Sequence, residues 1–140
     1  MMKPTHPVEL LACAIATQEG WFVAGTIPAT RHNPGDLRYA GQVGATRPDG
    51  TAGPVHPNTA EPIAVFPSAA LGIAALYRQL WLQVAHGQTV RDIIRQWAPP
   101  TENNTGAYLS AVLSFTTLPP DVAVLDLLPP LVALNQEHVT

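Results

Sequence analysis

Apolar residues recur near the start of the chain at the spacing of a helix face. Val8, Leu11, Ala12 and Ile15 stand at i, i+3, i+4 and i+7, which predicts an amphipathic helix over about residues 7–18. Pro7 suits the first helical position and Glu9 the positive helix end. Gly20 is a natural stop, because glycine tolerates a left-handed backbone. From residue 23 to 67 the pattern is broken by Gly and Pro. Leu37-Arg38-Tyr39-Ala40 and Ile63-Ala64-Val65-Phe66 read as short strands, with turn signals at Pro48-Asp49-Gly50 and Ala52-Gly53-Pro54. A small irregular antiparallel sheet is expected, with a long loop over about 44–61.

A second long helix is predicted over about 69–86, capped by Ser68 and closed by Gly87. Its stripe of Ala69, Ile73, Leu76, Leu80 and Val84 is widened by Ala70, Ala74, Tyr77 and Trp81. Only a narrow face is polar, so this helix is expected at the centre, surrounded by the others. Thr89 and Asp92 form a variant capping box ahead of Val90, Ile93, Ile94 and Trp97, and Pro99-Pro100 ends that helix. A further helix is predicted over about 105–115, with Tyr108, Leu109 and Val112 inward. The tail from Leu118 is apolar, with Pro119-Pro120 and Pro129-Pro130 each placed to start a short helix. The predicted architecture is α+β, mostly α: one domain over 1–140, with 119–140 as a C-terminal helical extension.

Composition narrows the function classes. The 140 residues are 46% hydrophobic and 12% charged, enough apolar matter for one sizeable core. A net charge of -3 argues against a duplex nucleic-acid binder, which needs a basic face. Cys13 is the only cysteine, which excludes an intrachain disulfide; within an apolar helix it is expected as a buried structural thiol. The start Met1-Met2-Lys3-Pro4 lacks a secretory pattern, and residues 71–84 carry Arg78, Gln79 and Gln83, unlike a membrane span. The expectation is synthesis in the cytoplasm without a signal peptide, and no membrane insertion. His6, His32, His56, His86 and His138 show no paired ligand spacing, so no metal or cofactor is expected, and Gly-x-Ser-x-Gly does not occur.

Glu19 is the residue that suggests chemistry. It ends the first predicted helix, before Gly20, Trp21 and Phe22. The negative helix end and loss of solvation by either aromatic both favour a protonated carboxyl. Cleavage of a glycosidic bond needs such an acid beside the leaving oxygen. The alternative is an exposed glutamate at a helix end.

Several motifs occur in order. Ala16-Thr17-Gln18-Glu19-Gly20-Trp21 is followed by Asn33-Pro34-Gly35-Asp36-Leu37-Arg38-Tyr39-Ala40-Gly41-Gln42. Phe66-Pro67-Ser68 with Gly72, Leu76 and Gln79-Leu80 comes next, then Trp97-Ala98-Pro99-Pro100-Thr101-Glu102-Asn103-Asn104-Thr105 with Tyr108. Together they resemble lysozyme-like domains of phage structural proteins and endolysins, over about residues 8–118. The resemblance implies a lysozyme-like fold, with helices around a small antiparallel sheet and a substrate cleft. It implies cleavage of the β-1,4 bond between N-acetylmuramic acid and N-acetylglucosamine in peptidoglycan, by hydrolysis or lytic transglycosylation, with Glu19 as general acid. The protein would then act on the cell wall after release or delivery, as an endolysin or virion component. The alternative is a non-catalytic glycan-binding module, or a virion or secretion-machinery component that keeps the fold, with residues 44–61 or 122–134 docking a partner. Packing of that tail on its own domain is the plainer reading.

Two positions depart from the family, His32 and Asp36, where asparagine is usual. Asp36 is either a second carboxylate near Glu19 or an aspartate that satisfies a turn. Asn33, Arg38, Tyr39 and Gln42 suit sugar hydroxyl, acetamido and lactyl oxygens. Against that, Asn33 can cap a turn, Arg38 can pair with Glu102, and Tyr39 can simply pack. Thr105 either contacts substrate or caps its helix. Tyr108 either packs or points its hydroxyl at Glu19. Glu102 and Asn104 are expected to fix the loop.

Overall fold

The first helix, α1 (Pro7–Glu19), begins where His6 Nδ1 accepts the Val8 N–H at 3.2 Å. It ends at Gly20, whose φ of 88° turns the chain left-handed. Gly20 N–H then reaches Thr17 O and Trp21 N–H reaches Ala16 O, a Schellman closure that satisfies the last carbonyls. These features come from a computed structural model that describes residues 6–129. The remaining helices are α2 (Ile27–Thr30), α3 (Ala69–Ala85), α4 (Val90–Trp97) and α5 (Thr105–Thr116), with a 3-10 turn at Val124–Leu127.

The expected caps form. Ser68 Oγ accepts from Leu71 N–H, and Thr89 and Asp92 make the reciprocal capping box. Asn104, rather than Thr105, caps α5 by accepting from Ala107 N–H. The four-residue α2, capped by Thr26, lies below the length at which periodicity is visible in sequence.

The central helix is α1, which corrects the expectation that 69–86 would be surrounded. No polar residue lies between Leu10 and Ala16, so α1 is apolar on nearly every face and packs on both α5 and α3. On α3 the inward face is Gly72, Ala75, Leu76, Leu80, Gln83 and Val84, while Ile73, Trp81 and Leu82 stay exposed.

No sheet forms among the described residues. Arg38 pairs with Ile63 and Thr46 with Val65, both antiparallel, as isolated bridges. Tyr39 N–H donates to Pro62 O and Ala64 N–H to Leu37 O, each at 2.8 Å, so the two expected strand segments do meet. The ladder goes no further. Pro62 has no N–H to donate, and Gly41 and Gly44 turn the chain at φ of 75° and 77°. The expectation of a lysozyme-like fold, with helices around an antiparallel sheet, is therefore corrected. The architecture is a helical core carrying a bridged, proline-broken arm.

Two hydrophobic clusters follow from this division. The larger joins α1, α3, α4 and α5 through Leu11, Ile15, Leu80, Ile94 and Val112. The smaller lies under the arm and contains Tyr39, Ala45, Ala64, Phe66 and Ala75. Helix α3 serves both, with Leu76 in one and Ala75 in the other. The arm's long loop is held by a buried pair, in which Arg47 Nε and Nη2 reach the two Glu61 oxygens at 2.9 Å. The Arg47 guanidinium also lies 4.4 Å from the Tyr39 ring centre. Beyond α5, Pro119-Pro120 starts no helix; Pro120 O instead accepts from Arg91 N–H, and the 3-10 turn comes later. Pro130, and the part of the candidate docking tail past 129, lie outside the described residues. Among the described residues no helix is long and apolar enough to cross a membrane.

Two stability tests follow. A Cβ on Gly72 would lie 1.7 Å from the His32 carbonyl oxygen, a backbone atom that cannot swing away. Gly72→Ala should destabilise the protein by about 1–3 kcal/mol or more, and a wild-type melting temperature would rule out this close approach. Hydrogen bonding to Arg47 holds Glu61 down at about 2, against 4.5 for the free side chain. A depressed carboxylate contributes stability above the free value, and that contribution is lost as pH falls through the folded one. The melting-temperature gap between wild type and Glu61→Gln should therefore be constant above about pH 5 and shrink towards pH 2; a gap independent of pH would contradict this.

Candidate active site

A cleft of about 470 Å³ opens between the helical core and the arm. Glu19 enters it from the end of α1, and Gln79 from α3. Gln96 and Trp97 come from the end of α4, with Pro99 and Asn103 just beyond. The arm supplies Gly35, Asp36, Leu37, Arg38 and Ile63. Trp97 Nε1 donates to Gly35 O at 2.9 Å, tying the two walls together.

Glu19 is half-buried, and Tyr108 Oη donates to its Oε2 at 2.7 Å. Its other oxygen makes no hydrogen bond among the described residues. Burial raises the Glu19 pKa above the ordinary 4.5; the Tyr108 hydrogen bond opposes that rise, and the nearby Asp36 charge adds to it. Burial and the adjacent carboxylate push the Tyr108 phenol far upward, so it remains a donor. Trp21 is half-buried against the helical core, whereas Phe22 is 70% exposed and gives no shelter.

Asp36 lies in the same cleft with a left-handed φ of 50°. Its Oδ1 is buried without a hydrogen-bond partner among the described residues. Burial raises its pKa, while Arg31 and Arg38 pull it down. Arg38 lines the cleft, donates to Glu61 O at 2.9 Å and stands 3.5 Å from the Glu102 carboxylate, so it faces the cleft and pairs with Glu102.

The other candidates are committed elsewhere. Asn33 is fully buried: its Nδ2 donates to Leu37 O and Ala64 O, and its Oδ1 accepts from Leu37 N–H, each at 2.9 Å. Tyr39 is 3% exposed, with its hydroxyl donating to Gly53 O and accepting from Gly53 N–H. Gln42 fastens its own turn through Arg38 O and Ala40 N–H. Thr105 Oγ1 donates to Ala98 O at 2.6 Å. None of these four lines the cleft, and the structure does not bring them to Glu19. Tyr108, 9% exposed, reaches Glu19 rather than the cleft itself. Cys13 is half-buried and its thiol is pushed up by burial and by Glu9, which disfavours the thiolate.

Sequence reasoning did not name Gln79, Gln96 or Trp97 as cleft residues. One signal was present: Gln79 and Gln83, at i and i+4, place two amides among apolar neighbours on α3. No protein-family model, curated protein or solved structure matches the chain.

The raised Glu19 carboxyl has a stability consequence. A group whose folded pKa exceeds its unfolded value contributes stability below the unfolded value, and that contribution is lost as pH rises through the folded one. Glu19→Gln keeps an oxygen for Tyr108 without the buried charge. It should raise the melting temperature at pH 7 by roughly 2–6 °C, and the gain should vanish near pH 4. A loss of stability at pH 7 would contradict the assignment.

Proposed function

We propose that the protein cleaves the glycan strands of peptidoglycan at the β-1,4 bond between N-acetylmuramic acid and N-acetylglucosamine, with Glu19 as general acid. The observation that carries this reading is a half-buried carboxyl in a polar cleft, raised in pKa, with one oxygen held by Tyr108 and the other unbonded among the described residues. The ordered motifs around Glu19, Asp36 and Trp97 support the choice of polymer. The reading rests on this site and not on a lysozyme-like sheet.

Glu19 in its protonated form gives its proton to the glycosidic oxygen as the bond to the muramic C1 breaks. The leaving sugar departs as an alcohol, and positive charge develops at C1 and the ring oxygen. In hydrolysis a water attacks C1 and its proton passes to a carboxylate, Glu19 or Asp36. In transglycosylation the muramic C6 hydroxyl attacks C1 and returns its proton to Glu19, leaving a 1,6-anhydro end. Asp36 lines the same cleft, and its carboxylate is the group that would orient the water or stabilise the developing charge. Tyr108 keeps Glu19 in position.

Clearing of a peptidoglycan suspension tests the reading. Glu19→Gln should lower the rate by at least about 100-fold with the fold unchanged by circular dichroism. Retained activity would remove Glu19 as the acid, and a wild type that sediments with peptidoglycan but never clears it would favour a binding module. The pH profile adds a second check. Activity needs the protonated acid, so its basic limb should lie above the free-glutamate value of 4.5. Tyr108→Phe removes the hydrogen bond that lowers the Glu19 pKa and should move the limb upward. Asp36→Asn removes a repelling charge and should move it downward. Opposite shifts would show that another group carries the proton.

A further inference from the structure

The helical wall of the cleft carries two primary amides for which the acid chemistry has no use. Gln79 on α3 and Gln96 on α4 both line the cleft that holds Glu19. The Gln79 side chain makes no hydrogen bond among the described residues. Gln96 is held: its Oε1 accepts from Gln83 Nε2 at 3.0 Å. Gln83 is only 5% exposed, and its own Oε1 is buried with no hydrogen-bond partner among the described residues.

Burying an amide with an unsatisfied oxygen on the inward face of a helix works against folding. Leucine would fill the same face without that loss. What Gln83 provides is orientation. Its hydrogen bond engages the Gln96 oxygen and leaves the Gln96 amide N–H groups free for a ligand.

We propose that Gln79 and Gln96 form a subsite for the acetamido group of an N-acetylated amino sugar, with Gln83 as the residue that positions Gln96. An acetamido group has one carbonyl acceptor and one N–H donor. Gln96 Nε2 donates to the carbonyl and Gln79 Oε1 accepts the N–H, so donors and acceptors match on both sides. The charged residues of the cleft are Glu19, Asp36, Arg38 and Glu102; of the neutral polar side chains that helices bring to it, the Trp97 indole is engaged by Gly35 O, which leaves the two amides. A neutral amide ligand fits neutral amide partners. Removing the acetyl group replaces the carbonyl with an ammonium and leaves the Gln96 donors facing a cation. Sites built on such pairing reject an analogue that lacks the group, because their own polar atoms are then left unpaired. This subsite rests on the glycan reading above and names the ring substituent that it selects.

The test uses the Glu19→Gln protein, so that binding is measured without turnover. It is titrated calorimetrically with a tetrasaccharide of alternating N-acetylglucosamine and N-acetylmuramic acid, and with the same tetrasaccharide after removal of its N-acetyl groups. The acetylated ligand should bind at least about 10-fold more tightly. Adding Gln96→Ala or Gln83→Leu should each bring that preference to within about threefold. Gln83→Leu should melt no lower than its parent, which separates loss of positioning from loss of fold. A preference that survives both substitutions overturns the subsite while the glycan reading stands, since binding persists. If the parent binds neither ligand, the glycan reading falls and the subsite with it.

Discussion

The buried side chain of Asn33 is the interaction on which the cleft's arm depends. Its amide engages Leu37 twice, through O and N–H, and the Ala64 carbonyl once. One group thus closes the tight turn of residues 33–37 and fixes that turn to the segment that Ile63 and Ala64 bring back. Only a side chain with both donor and acceptor atoms can make this set of bonds. The turn then seats its His32 carbonyl on α3 at Gly72 and its Gly35 carbonyl on the Trp97 indole. Asp36 and Arg38 face the cleft because the residues on either side of them are held in this way.

The opposite wall is set by the most apolar helix in the molecule. Helix α1 is buried on nearly every face and carries one acidic side chain to its end, where the helix dipole is negative and the surroundings exclude water. Three influences act on that carboxyl, and burial outweighs the Tyr108 hydrogen bond. The phenol therefore orients the group without forcing it to ionise. Asp36 adds its charge from the other wall, and Arg31 and Arg38 temper Asp36 in turn. The acidity of the cleft belongs to the pair of walls rather than to either one.

Much of the helical part was legible in the sequence, because periodicity and caps are local. The ends of α1 and α3, the Thr89–Asp92 box and the inward positions of α5 all depend on residues within a few places of one another. The arm was less legible. Its strand-like segments do meet, but whether two segments extend into a sheet depends on whether every N–H can find a partner, and Pro62, Gly41 and Gly44 prevent that. The centre of the fold was misjudged for a related reason: the stripe on α3 is wide, yet α1 has no polar side at all between Leu10 and Ala16. Among site residues, Glu19 and Tyr108 meet as their chemistry suggests. Asn33, Tyr39, Gln42 and Thr105 carry the right groups for sugars, but backbone groups brought close by folding use them first. Gln79 and Gln96 were hidden because only the crossing of two helices brings them into one cleft.

The Schellman closure after Glu19 has a bearing on how the chain can change in length. The carboxyl is aimed by backbone hydrogen bonds that count residues: Gly20 to Thr17 and Trp21 to Ala16. Each added or deleted residue in a helix turns everything beyond it by about 100°. One indel within the last turn of α1 would swing the acid out of line with Tyr108 and the cleft, even if every side-chain type were kept. Residues 57–60 are all exposed and take no part in the Tyr39, Arg47 and Glu61 hydrogen bonds that hold the rest of that loop, so length can change there at little cost. The segment between Ala16 and Trp21 is a ruler, and its length is as much a part of the site as the glutamate that it carries.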